Sequence, residues 1–319
     1  MATVDHSQRM LARIQQFITL TLIALALGWV VALSRRGHPL VAVAGALLVV
    51  FGFAFVLAVE MLLSRRINRD DAIPAADAAT LLKAWWGEVG SAARVFFWSQ
   101  PFRSHAVPDR LKYAGSPGTG IVFVHGFVCN RGIWNPWLRR LDPLGIVFVA
   151  VDLEPVFGGI ECYTTAIDAA VRRVEVATGR PPIVVAHSMG GLAVRAWLTS
   201  CDAASRVQHV VTLGTPHHGT VLARLAIVAN ARQMRRHSPW LQRLAHSEPG
   251  GRYGLFTCYF SHCDNIVMPA TSATLPGADN RHLSGVAHVQ LATDERVFGE
   301  ILGLLRPSPP EAPPVADRP

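Results

Sequence analysis

The alternation of apolar and polar positions changes character along this chain. Residues 14–33 carry no formal charge, and neither do residues 40–59. At about 1.5 Å per residue each stretch makes a helix of roughly 30 Å, the hydrocarbon thickness of a bilayer. The short segment 34–39 between them leaves room only for a tight turn. The pattern therefore predicts a hairpin of two membrane-spanning helices, over residues 14–33 and 40–63. A cleaved signal peptide is the alternative for the first stretch, but its apolar part is long for that purpose and a second span follows at once. The spans read as free of ionisable residues that could line a transport path, which argues against a small permease.

Past the hairpin the period becomes helical. Asp77, following Pro74, marks a helix start, and apolar residues recur at Leu81, Leu82, Trp85, Trp86, Val89, Ala93, Phe96 and Phe97. Trp85, Trp86 and Trp98 either sit at the lipid headgroups or pack on the domain that follows. From residue 110 short apolar runs alternate with helical patterns. Strands are predicted at 120–125, 146–151, 183–186, 207–213 and 256–260, with helices within 127–141 and at 164–178 and 294–305. Buried strands alternating with helices define an α/β class: a mostly parallel, doubly wound sheet with helices on both faces. Residues 220–254, rich in arginine and interspersed with apolar positions, exceed a plain crossover and predict a helical cap, either a mobile lid or a fixed insertion. The organisation is thus an N-terminal hairpin segment (1–67), a linker with an aromatic-rich amphipathic helix (68–109), a catalytic domain (110–306) and a proline-rich tail (307–319) predicted to be disordered.

Composition refines this picture. Mean hydropathy is +0.29, and the apolar excess sits mostly in the first 63 residues. The net charge of +8 is carried mainly by arginine, which suits anionic headgroups. No basic run interleaved with aromatics points to nucleic acid. Arg9, Arg13, Arg65, Arg66 and Arg69 flank the hairpin and outnumber Arg35 and Arg36 in its turn, which places both ends and the catalytic domain on the cytoplasmic side of a bacterial inner membrane. The five cysteines have no metal-ligand spacing, and their odd number argues against a disulfide framework, so buried free thiols are expected.

The chemistry concentrates at Ile183-Val184-Val185-Ala186-His187-Ser188-Met189-Gly190-Gly191. An apolar strand stops at a serine, small residues stand two positions either side of it, and a helix-like run follows. A nucleophile elbow needs that spacing, because its strained turn brings two backbones together. A serine hydroxyl needs a base, and the base an orienting acid. Downstream, Asp264 lies just past a strand and His288 just before the last helix. Asp279 competes as the acid, and His262 and His282 as the base. The oxyanion of a tetrahedral intermediate needs two N–H donors, which fall by position to Met189 and to Phe127 in His125-Gly126-Phe127. Among the other residues, His125 reads as a loop brace and Asp152 as a loop-orienting acid. Trp134 and Trp137 read as packing. His187 either lines the acyl pocket or packs beneath it. His217 and His218 lack a third ligand for a metal pair, and no cofactor is indicated.

In this order the His-Gly loop, the serine elbow, the segment Leu213-Gly214-Thr215-Pro216-His217-His218-Gly219-Thr220, the acid and the base resemble the α/β-hydrolase superfamily. Within it the chain is similar to bacterial lipases and esterases with an Ala-His-Ser-Met-Gly elbow, and to GPI-inositol-deacylase-like hydrolases. The resemblance implies the α/β-hydrolase fold and ester hydrolysis through an acyl-enzyme. It makes Ser188 the nucleophile, His288 the base, Asp264 its orienter, and Phe127 and Met189 the oxyanion donors. The expected partners are an acyl-ester or lipid substrate and the bilayer. The alternatives are an acyltransferase using the same acyl-enzyme and a non-catalytic membrane interaction protein.

Overall fold

The computed structural model describes residues 10–112, 118–200, 203–248 and 250–305. Arg9, Cys201 and the proline-rich tail lie outside them. Two long helices, α1 (Met10–Arg35) and α2 (Pro39–Ile67), form the N-terminal hairpin, and each is long and apolar enough to cross a membrane. Their aliphatic side chains, among them Leu20, Leu25, Leu40, Leu48 and Phe55, are exposed, as lipid-facing positions would be. One expectation fails here. Glu60 falls within the predicted 40–63 span, so the second span does carry an ionisable group.

The predicted aromatic-rich helix is α3 (Ala78–Arg94), capped by the Asp77 carboxylate accepting from Thr80 N–H at 2.8 Å. It runs on through a wider turn, Val95–Ser99, into the short α4 (Gln100–Arg103). Trp85 Nε1 donates to the Ala54 carbonyl of α2 at 2.8 Å, whereas Trp86 and Trp98 face outward, 62% and 58% exposed.

The remaining chain follows the predicted alternation: β1 (Ile121–Val124), α5 (Asn135–Leu141), β2 (Phe148–Val151), α6 (Thr164–Thr178), β3 (Ile183–His187), α7 (Met189–Ser200), β4 (His209–Leu213), α8 (Ala229–Gln233), α9 (Pro239–Ser247), β5 (Phe256–Phe260), β6 (Asp279–His282), α10 (His288–Leu291) and α11 (Glu295–Leu304). The strands form one parallel sheet in the order β2-β1-β3-β4-β5-β6. Alternate strand residues enter opposite cores. Val122, Val124, Val184 and Ala186 face α6 and α7 with Val171, Leu192 and Trp197. Ile121, Phe123, Ile183 and Val185 face α5 and α11 with Trp134, Trp137, Phe298 and Ile301. Trp134 and Trp137 therefore pack the sheet, as read from the sequence. From β1 the chain leaves to β2 on one side and returns to β3 on the other. The crevice beyond the C-terminal ends of β1 and β3 is where doubly wound sheets place their ligands.

Two details depart from the sequence reading. The sheet has a sixth strand, β6, beginning at Asp279, where no strand was predicted. All of its side chains are exposed, so it has no apolar alternation to betray it. Among the described cysteines Cys129, Cys258 and Cys263 are buried free thiols, but Cys162, in a solvent-facing turn, is free and exposed. The 220–254 segment holds α8 and α9. It is tied to α7 by a buried ion pair, Arg195 to Glu248, with bonds of 2.8 and 2.6 Å and both side chains 2% exposed.

Candidate active site

Ser188 joins β3 to α7 with φ of 54°, a left-handed conformation that costs a non-glycine residue energy and persists only under constraint. The constraint is visible. Ser188 N–H donates to the Leu213 carbonyl at 2.8 Å, and the helix that follows is pressed against the end of β1. A Cβ at Gly190 would stand 2.5 Å from the His125 carbonyl oxygen and 2.7 Å from that of Val124. Backbone cannot yield as a side chain can, so Gly190→Ala is expected to lower unfolding free energy by about 1–3 kcal/mol, read from denaturant melts. A variant as stable as the parent would show that β1 and α7 are not in forced contact. The loop after β1 is equally close, since a Cβ on Gly126 would sit 2.7 Å from Ser188 Cβ. Phe127 follows in the same loop. Val128 next to it also has positive φ, 52°, which is rare for a β-branched residue. Strain thus brackets the site on both sides.

Asp264 and His288 meet. His288 Nδ1 lies 2.9 Å from Asp264 Oδ2, and both residues are buried. The other carboxylate oxygen accepts from the N–H groups of Ile266 and Val267, each at 2.8 Å, so the acid cannot rotate freely. His288 is the first residue of α10, a single helical turn ahead of the last helix. Burial on its own would lower the affinity of His288 for a proton. The charge and hydrogen bond of Asp264, with Glu88 and Glu60 further off, outweigh it and raise the pKa above the ordinary imidazole value. His187 lies with its ring 4.6 Å from that of His288 and its Nε2 3.0 Å from the His288 carbonyl. Burial, then the neighbouring imidazole, hold His187 well below its usual range, and hence neutral.

The competing residues are occupied elsewhere. Asp279 begins β6 and pairs with Arg281 at 2.6 Å on the surface. His262 and His282 lie ring to ring, 4.5 Å apart, and neither lines the cavity that holds Ser188. His125 braces its loop, facing the Gly126 carbonyl and accepting from Leu153 N–H at 3.0 Å. Asp152 accepts from Arg131 N–H at 2.8 Å. His217 is buried against Thr212 Oγ1 at 3.1 Å. Among the described residues no three His, Cys, Asp or Glu side chains gather as metal ligands.

Ser188 and His288 share a cavity of about 280 Å³ with Phe127 and His187. One wall comes from outside the sheet domain: Leu57 and Glu60 of α2, and Glu88, Ala92 and Phe96. Sequence reading missed these residues. The available signal was that Glu60 is the single acid in α2 and Glu88 the single acid in α3. The polar contacts follow the same path. Ser64 Oγ donates to the Asp264 carbonyl at 2.6 Å, and Asn265 Nδ2 to Glu60 Oε2 at 2.8 Å. Asn68 Oδ1 accepts from Ala270 N–H at 2.9 Å.

A parallel sheet, a strained serine at the end of its third strand and an acid–histidine pair beyond the fifth define an α/β hydrolase. The model of the alpha/beta hydrolase family matches residues 121–314, and the chain belongs to that family. Among solved structures the chain is similar to Bacillus licheniformis lipase BlEst2 in its mature form, with 20% identity, a TM-score of 0.54, and 60% of this chain covering 94% of that one. The propeptide form of the same lipase gives 21% identity and a TM-score of 0.50, with 63% of this chain covering 52% of that one. Aspergillus fumigatus lipase B gives 18% identity and a TM-score of 0.48, with 55% and 49% covered. At such identities the likeness to BlEst2 shows the fold alone. No curated protein sequence matches the chain.

Proposed function

We propose that the protein is a membrane-anchored serine hydrolase of carboxylic esters, acting on acyl esters and lipids through an acyl-enzyme. The observation that carries this reading is the 2.9 Å contact between His288 and Asp264 at a cavity shared with Ser188. With Nδ1 held by Asp264, the remaining nitrogen of His288 takes the Ser188 proton as Oγ attacks the carbonyl carbon. The N–H groups of Phe127 and Met189 receive the oxyanion, which is worth about 3–4 kcal/mol per donor in such enzymes. His288 then gives its proton to the leaving alcohol, and water, activated by the same histidine, releases the acid. The apolar lining of Leu57, Phe96, Phe127, Met234 and Ile266 suits an acyl chain. Purified protein should hydrolyse p-nitrophenyl acyl esters and be labelled at Ser188 by a fluorophosphonate. A folded protein that turns over no ester and resists the probe would favour a non-catalytic role.

The anchor reading rests on α1 and α2, whose apolar side chains face outward. The arginines at the ends of the hairpin favour a cytoplasmic catalytic domain. Carbonate-washed membranes should retain the protein, and protease added to inverted inner-membrane vesicles should digest the catalytic domain. Release by carbonate would end the anchor reading, and protection in those vesicles would reverse the orientation.

A further inference from the structure

Glu88 stands out among the groups that the proposed reaction does not use. It lies on α3, outside the sheet domain, and is 0% exposed. A carboxylate is rarely buried without strong partners. Here Oε1 accepts from Val289 N–H at 2.9 Å, and Oε2 accepts from Val289 N–H at 3.1 Å and from Gln290 N–H at 3.2 Å. These are the two residues directly after His288. On the near side, His288 N–H donates to Asn265 Oδ1 at 3.3 Å, and Asn265 is itself held by Glu60 of α2. The turn that carries the histidine is therefore held by the Glu88 carboxylate on one side and, on the other, by Asn265, which Glu60 holds in turn. Bonds of this kind to a charged acceptor are among the stronger ones a protein makes.

We propose that Glu88 is a positioning residue for His288: it fixes the imidazole against Asp264 and Ser188 through the N–H groups of Val289 and Gln290, so the N-terminal helices are part of the catalytic centre and not only its anchor. The inference rests on the hydrolase reading above. The titratable groups around His288 are Asp264 from the loop after β5, His187 from β3, Glu60 from α2 and Glu88 from α3. Burial pushes the Glu88 carboxyl up to about 7, against the opposing pull of its backbone bonds. Its negative charge favours imidazolium at His288. Removing it lowers the pKa of His288. The base must be neutral to act, so the acid limb of kcat/KM then moves to lower pH.

The test uses the full chain in detergent micelles with a p-nitrophenyl ester. Glu88→Gln, close in shape but uncharged, should move the acid limb down by about half a pH unit. Glu88→Ala should lower kcat about tenfold or more while KM changes little, because a loosened base costs turnover rather than binding. The glutamine variant decides the matter even if the alanine variant fails to fold. An acid limb that stays in place in Glu88→Gln overturns the assignment, since a merely structural carboxylate would not move it. A wild-type chain with no Ser188-dependent turnover would instead sink the hydrolase reading. The same displacement, followed in the ring resonances of His288, tests Glu88 in that case too.

Discussion

Replacing Ser188 with alanine is expected to lower kcat by about 10⁴-fold or more while leaving the fold intact. The magnitude follows from the proposed acyl-enzyme, for without an oxygen nucleophile only positioning and the proposed oxyanion donors remain to assist water. The fold should survive because alanine keeps Cβ and the backbone bond from residue 188 to the Leu213 carbonyl. The left-handed backbone at residue 188 is the same for serine and alanine, so the variant should melt close to the parent. Steady-state kinetics measures the first effect and thermal melts the second. Full turnover in Ser188→Ala would show that another group carries the chemistry.

Asp264→Asn should come next, with kcat down by about 10⁴-fold. The direction follows from which oxygen is already engaged. Oδ1 accepts two backbone N–H groups at 2.8 Å, so the amide oxygen of asparagine will take that place and turn its NH₂ toward His288 Nδ1. A donor there forces Nδ1 to act as acceptor and puts the imidazole proton on Nε2. That is the nitrogen needed to receive the serine proton. Asp279→Asn, in contrast, only releases a surface pair with Arg281 and should leave kcat unchanged. If the two variants behaved alike, Asp264 would not be the orienting acid.

Much of this arrangement was legible in the chain. The five apolar strands are read from runs that are buried on both faces, and the elbow from small residues whose spacing a strained turn demands. Asp264 and His288 could be ranked above Asp279, His262 and His282 because each lies just past a strand or just before a helix of the sheet domain. What could not be read depends on distant partners. β6 is composed of Asp279, Asn280, Arg281 and His282, and only the edge of β5 makes it a strand. Glu60 and Glu88 look like isolated charges until the fold brings Asn265, Val289 and Gln290 to them. The hairpin was read as an anchor because length and hydropathy are local properties, whereas its contribution to the cavity wall is not.

The bonds that tie the N-terminal helices to the catalytic loops run from Ser64 to Asp264, Asn68 to Ala270, Asp71 to Thr271 and Glu88 to Val289, spanning 200, 202, 200 and 201 residues respectively. During synthesis the helices emerge first and their partners last. At about 5–20 residues per second the interval is roughly 10–40 seconds. Throughout it Ser64, Asn68 and Glu88 lack the groups they are built to hold. Closing contacts of such range is slow relative to local folding. The proposed catalytic centre is therefore completed only once synthesis has passed Val289, so on the proposed reading a nascent chain whose helices are already in a bilayer would remain unable to attack the lipids around it.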